Sequence, residues 1–398
     1  MILKETLAGI LRSQAPLSPP AGEVVRRETG ELRLRGQFAL VLTGIRRCGK
    51  STLQAQLMRR SKQAFYCNFD DIRLGGMEAG DLATWLDVFR EIAPETADVF
   101  LDEVQEVEGW QRLVRTLLDM GRKVCVSGSN ASLLGTDIGR KLTGRHESRS
   151  VWPFCYSEYL EAAGRKRGEE SLRAFLDDGG FPGYLRDKRD ALLSDLARDV
   201  LERDVLFHNN LRDIRHVRNL FLFLTANTGL PVSRQKLTKN LEIPSVTETT
   251  RYLEYLQDAY LLFAVPKFSA SFKQRVVAPP KYYSIDNGLR RAVSPQAAPD
   301  LGRRLENLVA LELLRRRLEP CYAAERDSWE CDFVTKDTVW QVCWQLDDEN
   351  MARETRGLHE AKAQTRVKRM VILTFNQKQK LTQDGETIEV LPAWEWLE

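Results

Sequence analysis

No apolar run in these 398 residues approaches the roughly 20 that a membrane-crossing helix needs. The chain starts amphipathic (Ile2, Leu3, Leu7, Ile10, Leu11) and turns proline-rich towards Pro20. It shows no continuous apolar segment with a small-residue cleavage site, so no signal peptide is expected. Cysteine is sparse and scattered, seven residues at 48, 67, 125, 155, 321, 331 and 343, with no C-x-x-C. An odd, dispersed set argues against a disulfide framework or a zinc site and for a reducing cytoplasm, with the thiols as small core residues. A dominant charge is missing too. Lys plus Arg number 59 against 56 Asp plus Glu, a net charge of +3. A wholly basic coat for nucleic acid is thereby excluded, and only local patches remain. There is no internal repeat and no low-complexity tract.

What is present is a globular balance, 43% hydrophobic and 29% charged, in a chain long enough for several domains. Up to about residue 160 short apolar runs alternate with helical patterns. Phe38–Leu42, Ala64–Cys67, Val99–Leu101 and Val124–Val126 read as strands. Leu113, Val114, Leu117 and Leu118 form one face of a helix between two of them. That alternation predicts a parallel α/β sheet. The charged, glycine-flanked stretch 164–170 marks a boundary. From about 171 to 265 the pattern is mostly helical. A helix over 305–318 and strands over 339–344 and 370–375 then predict a second, smaller α/β unit.

The chemistry concentrates in Gly44-Ile45-Arg46-Arg47-Cys48-Gly49-Lys50-Ser51, which fits G-x-x-x-x-G-K-[ST] and continues into Thr52. An apolar strand precedes it and a helical run follows, the context in which glycines let backbone N–H groups curl round phosphates. Residues 44–52 are the expected nucleotide cradle, with Lys50 reaching the β and γ phosphates and Ser51 offering its hydroxyl to Mg²⁺. Asp102 and Glu103 end the third apolar strand. Asp102 is the expected second metal ligand and Glu103 the residue that orients the attacking water. The next strand ends in Ser127-Gly128-Ser129-Asn130 and belongs between the two motif strands, with Asn130 or Ser129 facing the γ-phosphate. The segment 121–149 is basic (Arg122, Lys123, Arg140, Lys141, Arg145, Arg149), and Arg145 is the candidate arginine finger. The absence of an N/T-K-x-D signature favours ATP over GTP.

These residues resemble the bacterial and archaeal AAA-type ATPases of the AAA_14 kind that carry a C-terminal DUF4143 domain. The likeness rests on 44–52, Leu101–Gln105, Ser127–Asn130, Leu142–Arg145 and Trp152-Pro153-Phe154. In the second half it rests on Gly179-Gly180-Phe181-Pro182, Asp199–Asp204, Asp286–Leu289, Gly302 and Glu306–Val309. The resemblance implies an AAA-type N-terminal fold, a winged-helix-like middle and a C-terminal domain similar to restriction nucleases.

Read on their own, residues 230–265 give helix, turn, helix, strand. Ser245-Val246-Thr247-Glu248 is a capping-box pattern. Val246, Leu253 and Leu256 are expected to face inward, and Thr247, Thr250 and Arg251 outward. The loop towards Tyr282–Ser284 carries Lys273, Arg275 and Lys281. In the last domain Glu306 and Asp332 could supply nuclease-type acids. The following strand offers Gln341-Val342-Cys343 where an acid and a lysine are needed, so that site reads as degenerate, with Lys336 the nearest substitute. Residues 351–380 hold eight basic residues against two acids.

The expectation is therefore an α/β protein: an N-terminal helix over 1–20 and a P-loop AAA-like domain over 21–165. A helical linker over 166–215, a winged-helix-like domain over 216–295 and a degenerate nuclease-like domain over 296–398 follow. ATP and Mg²⁺ are the expected cofactors. DNA, a protein partner or further copies of the chain are the candidate partners, with no membrane. An ATP-gated nuclease and a non-hydrolysing nucleotide switch stay open as alternatives.

Overall fold

The structure is a computed structural model that describes residues 2–15, 22–129, 142, 144–207, 209, 211, 213–294, 300–383 and 385–397. The apolar runs of the first part become strands: β1 (Ala39–Thr43), β2 (Ala64–Asn68), β3 (Asp98–Asp102) and β4 (Val124–Gly128). β5 (His146–Ser150) completes a parallel sheet in the order β2-β3-β4-β1-β5. β1 and β4 are buried at every position, as strands covered on both faces must be. Parallel neighbours need crossovers, and the helices Lys50–Met58, Leu82–Ile92 and Trp110–Asp119 provide them. All strands therefore end at one edge, and the segments leaving β1, β3 and β4 open there together.

Packing outside the sheet follows the same logic. Trp85 stacks on Phe89 with centroids 5.4 Å apart, and Phe65 meets both edge-on at 5.7 and 4.9 Å. The amphipathic start of the chain is the helix Lys4–Ser13, which buries Leu7, Ile10 and Leu11 in this core. Gln14 then imitates a strand. Its amide donates to the Asn68 carbonyl and accepts from the Asn68 N–H, both at 3.0 Å, and covers the edge of β2.

The chain divides into two compact units, Met1–Trp152 and Pro153–Glu398. The division precedes the charged 164–170 stretch because the helix Tyr156–Ala163 belongs to the second core. There Tyr156 and Tyr159 pack on Phe175 of the helix Glu169–Asp178. Two of the sequence signatures meet in this unit. The Asp286 carboxylate accepts the Gly180 N–H at 2.6 Å and the Leu289 N–H at 2.8 Å, capping the helix Asn287–Val293. A Cβ at Gly179 would lie 2.1 Å from Asp286 Oδ1, one at Gly180 2.3 Å from the Phe154 carbonyl, and one at Gly288 2.1 Å from the Asp178 carbonyl. The Gly-Gly-Phe-Pro and Asp-Asn-Gly-Leu signatures are thus two sides of one packing junction. The helix Ala191–Asp199 continues into a π-helical stretch, Val200–Phe207.

The middle is helical. Arg215–Ala226, Arg234–Asn240 and Val246–Asp258 lead into the antiparallel pair β6 (Leu262–Val265) and β7 (Lys281–Ser284). Ser245 caps its helix by accepting the Glu248 N–H at 3.1 Å. Leu253 and Leu256 are buried, but Val246 is 40% exposed. At the first helical position it falls short of the buried face, which Thr249 and Tyr252 complete. Lys281 departs further from expectation: it lies in a strand rather than a basic loop and is wholly buried.

The final part is a mixed sheet of β8 (Cys321–Glu325), β9 (Trp329–Val334), β10 (Thr338–Val342), β11 (Arg369–Thr374), β12 (Gln379–Gln383) and β13 (Glu386–Pro392), in the order β12-β13-β11-β10-β9-β8. β10, β11 and β13 run parallel. Alternate residues serve opposite cores. Trp340, Val371 and Leu373 pack with Leu305 and Val309 of the helix Leu301–Arg315. Val339, Met370 and Ile372 pack with Leu358 and Ala361 of the helix Met351–Thr365. Among the described residues no helix is long and apolar enough to cross a membrane.

Gly180→Ala is expected to lower the stability of the second unit by about 1–3 kcal/mol, the usual range for overpacking. Denaturant unfolding checks this, and an unchanged midpoint would show that the Asp286 junction yields freely.

Candidate functional site

The phosphate loop leaves β1 at Gly44 (φ 151°) and enters its helix at Gly49 (φ 106°). Gly44 is required by space: a Cβ there would sit 2.1 Å from the Val151 carbonyl oxygen. Gly49 is the N-cap of the helix Lys50–Met58 and brings no side chain to it. The first-turn N–H groups therefore open towards the loop, where the helix end favours negative charge. Lys50 is 4% exposed. Its Nζ donates to the carbonyls of Gly44 at 3.0 Å and Ile45 at 3.2 Å. Cys48 is buried within the loop, and that burial pushes its thiol pKa up.

The acids stand at the same edge. Asp102 ends β3 and is 2% exposed. The Ser127 hydroxyl donates to its Oδ1, the Tyr66 hydroxyl to its Oδ2 at 3.1 Å, and Ser51 is a further hydrogen-bond partner. Burial raises the Asp102 pKa, while the Ser127 hydrogen bond pulls it down. Glu103 adopts a left-handed conformation, φ 51°, which turns it out of the strand direction. Its carboxylate accepts from Gln105 Nε2 at 2.5 Å and Ser129 Oγ at 3.2 Å. The other side-chain atom of that amide, Gln105 Oε1, is buried without a hydrogen-bond partner.

Lys50, Ser51, Asp102, Glu103 and Ser129 are thus gathered where the sequence placed them. Ser127, Tyr66 and Gln105 were missed as side chains that hold the acids. The small polar tail after Val126 was the signal for Ser127, although attention there fell on Ser129 and Asn130. Tyr66 is apolar in pattern and gave none. Asn130, Arg140 and Lys141 lie outside the described residues. Arg145 is described, and its position corrects the finger assignment within one chain. Its carbonyl accepts the Ala39 N–H at 3.0 Å, at the start of β1. The length of a strand, roughly 16 Å at about 3.3 Å per residue, separates it from Gly44. Its guanidinium pairs with Asp119 and the Gln37 carbonyl.

A parallel sheet, a glycine-bounded loop opening a helix and a hydroxyl-held acid on the second motif strand, with β4 between the two, define a P-loop ATPase domain of the AAA type. The AAA domain family matches residues 37–160. Residues 169–300 match a domain of unknown function, DUF8612, and not DUF4143. The uncharacterized protein MJ1544 of Methanocaldococcus jannaschii is 30% identical over 412 residues, covering 94% of this chain and 91% of that protein. The chain belongs to the same protein family as MJ1544. An uncharacterized protein of Haemophilus influenzae is 27% identical over 384 residues, covering 90% of this chain and 94% of its own length. Among solved structures, Cdc6p from Pyrobaculum aerophilum superposes with a TM-score of 0.29 at 14% identity, over 66% of this chain and 91% of that one. That superposition is too loose to carry an argument.

The second unit holds another charged constellation. Glu306 on the helix Leu301–Arg315, Asp332 on β9 and Gln341 on β10 do come together. The Asp332 N–H donates to Gln341 Oε1 at 3.3 Å, and its Oδ2 accepts the Val342 N–H at 3.0 Å. A lysine arrives from β7 rather than from Lys336. Lys281 Nζ lies 3.2 Å from Glu306, 3.1 Å from Asp332 and 2.8 Å from Glu330. Tyr283 donates to Glu306 at 2.6 Å. A cavity of about 720 Å³ reaches this cluster, with Trp329, Arg353 and Glu354 in its wall. Burial works against the Lys281 charge, but the facing carboxylates outweigh it and hold its pKa well above the usual lysine value. With several acids round one ammonium, a proton is held more tightly on this cluster than on a free carboxylate. Burial pushes Glu306 up to about 7, with Lys281 opposing and Asp332 adding to the rise.

Glu306 binds its proton more tightly folded than unfolded, where its value is 4.5. Its contribution to stability is full below that value and is lost as pH rises through about 7. Unfolding midpoints of the wild type should fall across this window by an increment that Glu306→Gln removes. An identical pH slope in the variant would show that Glu306 is not the titrating group.

Proposed function

We propose that this chain is a Mg²⁺-dependent ATPase whose nucleotide state governs how its C-terminal half engages DNA or a protein partner. The observation that carries the reading is the pair of acids, Asp102 and Glu103, hydrogen-bonded in place beside a glycine-bounded loop. The residues fit the groups implied. Ser51 and Asp102 are hard oxygen donors of the kind Mg²⁺ takes. The loop of Gly44 to Thr52, with its uncapped helix end, suits phosphates. When bound, MgATP supplies the phosphoryl group and the cation that offsets its charge. The chain's residues do the rest. Lys50 and the loop amides hold the phosphate oxygens, and Ser127 and Tyr66 fix the Asp102 carboxylate. Glu103 orients a water, with Gln105 and Ser129 setting its direction. Asn130 remains assigned to γ-phosphate sensing. A finger role for Arg145 is compatible with action on another copy of the chain, which calls for a homo-oligomer.

The partner is less constrained. Of the basic residues over 351–380, Arg353, Lys362, Arg369 and Lys378 already pair with Glu354, Glu386, Glu389 and Glu395. That pairing weakens the case for a DNA face there and favours a protein partner. Nuclease activity stays the alternative. Lys281 is consumed by the carboxylates that a metal would need, and this speaks against it.

ATP turnover with and without single- and double-stranded DNA is the test. Lys50→Ala should abolish turnover, and Glu103→Gln should suppress it while binding persists. Turnover that DNA stimulates would assign DNA as the partner, and turnover indifferent to DNA a protein. Binding without turnover would replace the ATPase with a nucleotide switch. Ser127→Ala and Tyr66→Phe should each weaken the Mg²⁺ dependence of turnover about 10- to 100-fold. Unchanged Mg²⁺ titrations would remove those side chains from the site.

A further inference from the structure

Arg26 precedes the sheet by a dozen or so residues and carries none of the phosphate-loop motif, yet it is 2% exposed. A guanidinium so buried is costly unless its donors are held, and the partners explain the burial. Nη1 donates to the carbonyl of Cys48, inside the phosphate loop, at 2.8 Å. Nη2 donates to the carbonyl of Trp152, also at 2.8 Å. The Arg26 N–H donates at 3.0 Å to Gln56, on the helix that the loop opens. The Glu28 carboxylate pairs with Nη2 at 3.7 Å. A Cβ at Gly49 would lie 2.9 Å from Nη1, so the guanidinium fits beneath the loop because residue 49 is glycine. Around Trp152 the chain is tied to the same loop. Val151 donates to Thr43 at 2.6 Å, and its carbonyl accepts Cys48 Sγ at 3.3 Å. Trp152 is also the last residue of the first unit. One planar group therefore bridges a carbonyl in the phosphate loop and a carbonyl at the chain's exit.

We propose that Arg26 is a positioning residue that couples the phosphate loop to Trp152, so that nucleotide occupancy is read out where the chain leaves the first unit. The inference rests on the nucleotide-binding reading of the loop. In a trans peptide the carbonyl of one residue and the N–H of the next point in opposite directions. Drawing the Cys48 carbonyl down onto Arg26 turns the Gly49 N–H up into the loop, where a phosphate oxygen would sit. A phosphate that fixes this N–H fixes the carbonyl behind it, and the guanidinium carries the constraint to Trp152. Arginine suits the task because its fork holds two acceptors at a set spacing, whereas a lysine ammonium acts as a single point charge.

The test is hydrogen exchange and ATP binding on the full-length chain, with and without MgATP. In the wild type, saturating MgATP should slow exchange of the amides of Val151 and Trp152. Arg26→Ala should weaken ATP binding about 10- to 100-fold, the range for a lost hydrogen bond to a charged group. It should also remove the MgATP-dependent protection even at saturation. Arg26→Lys, which keeps the charge and one donor site, should recover part of the affinity without the protection. That split separates coupling from a general structural defect, which would speed exchange equally with and without nucleotide. Equal loss in both states, or full protection in both variants, would overturn the proposal. A wild type that binds no ATP would overturn the nucleotide reading itself, a result distinguishable from failure of the Arg26 coupling alone.

Discussion

The first unit depends on one close approach, that of Gly44 to the carbonyl of Val151. It brings the end of β1 and the exit from β5 together at a distance no side chain tolerates. The consequences spread through the site. Thr43 accepts from Val151, Cys48 donates its thiol to the same carbonyl, and the loop between Gly44 and Gly49 has no room to spread backward. Its amides must therefore open forward, at the edge where β3 and β4 also end. The parallel sheet makes this possible, because only parallel neighbours send all their exits to one side. The acids of β3 and the hydroxyls of β4 reach the loop for that reason and not through any local affinity.

What could be read from the sequence follows from what is local. Four of the five strands of the first sheet were legible because each is a short apolar run between glycine- or charge-rich segments, whereas β5, His-Glu-Ser-Arg-Ser, is polar and half-buried and gave no such signal. The loop was legible because it is contiguous. Asp102 and Glu103 were legible because they end a strand. Tyr66 and Ser127 were not, because their role exists only once β2 and β4 lie on either side of β3. Lys281 is the sharper case. A lysine at the edge of a basic segment is ordinarily solvated, and nothing nearby announces that it will be drawn inward by acids on β9 and the helix Leu301–Arg315. Val246 failed in the opposite sense: periodicity sent it inward, but a first-turn position lies beyond the buried face. For Arg145 the sequence left open whether it acts within its own chain or on another copy, because its place along β5 was not legible. A residue before a parallel strand sits at the end opposite the phosphate loop.

The glycine signatures of the second half show how a sequence pattern can be real and its meaning structural. Gly179, Gly180 and Gly288 stand where a backbone carbonyl or the Asp286 carboxylate occupies the space of a Cβ. Asp286 is held inside by backbone N–H groups and by the helix it caps, although burial pushes its pKa up to about 6. Such a residue earns its place by closing a junction, and a shared motif of this kind reports a shared fold before it reports a shared chemistry.

Two of the buried cations, Lys281 and Arg26, are held in different ways. Lys281 is met by carboxylates at direct contact, so its charge is offset within the cluster, and burial raises the Glu306 pKa there. Arg26 is met by the carbonyls of Cys48 and Trp152 at 2.8 Å and by the Glu28 carboxylate at a longer 3.7 Å. Positive potential at the loop comes from the helix end and from Lys50. The acids round Lys281 bind β7, β9 and the helix Leu301–Arg315 into one body, and the nucleotide site proposed for this chain lies instead in the loop of 44–52, where the cations meet backbone carbonyls and a helix end.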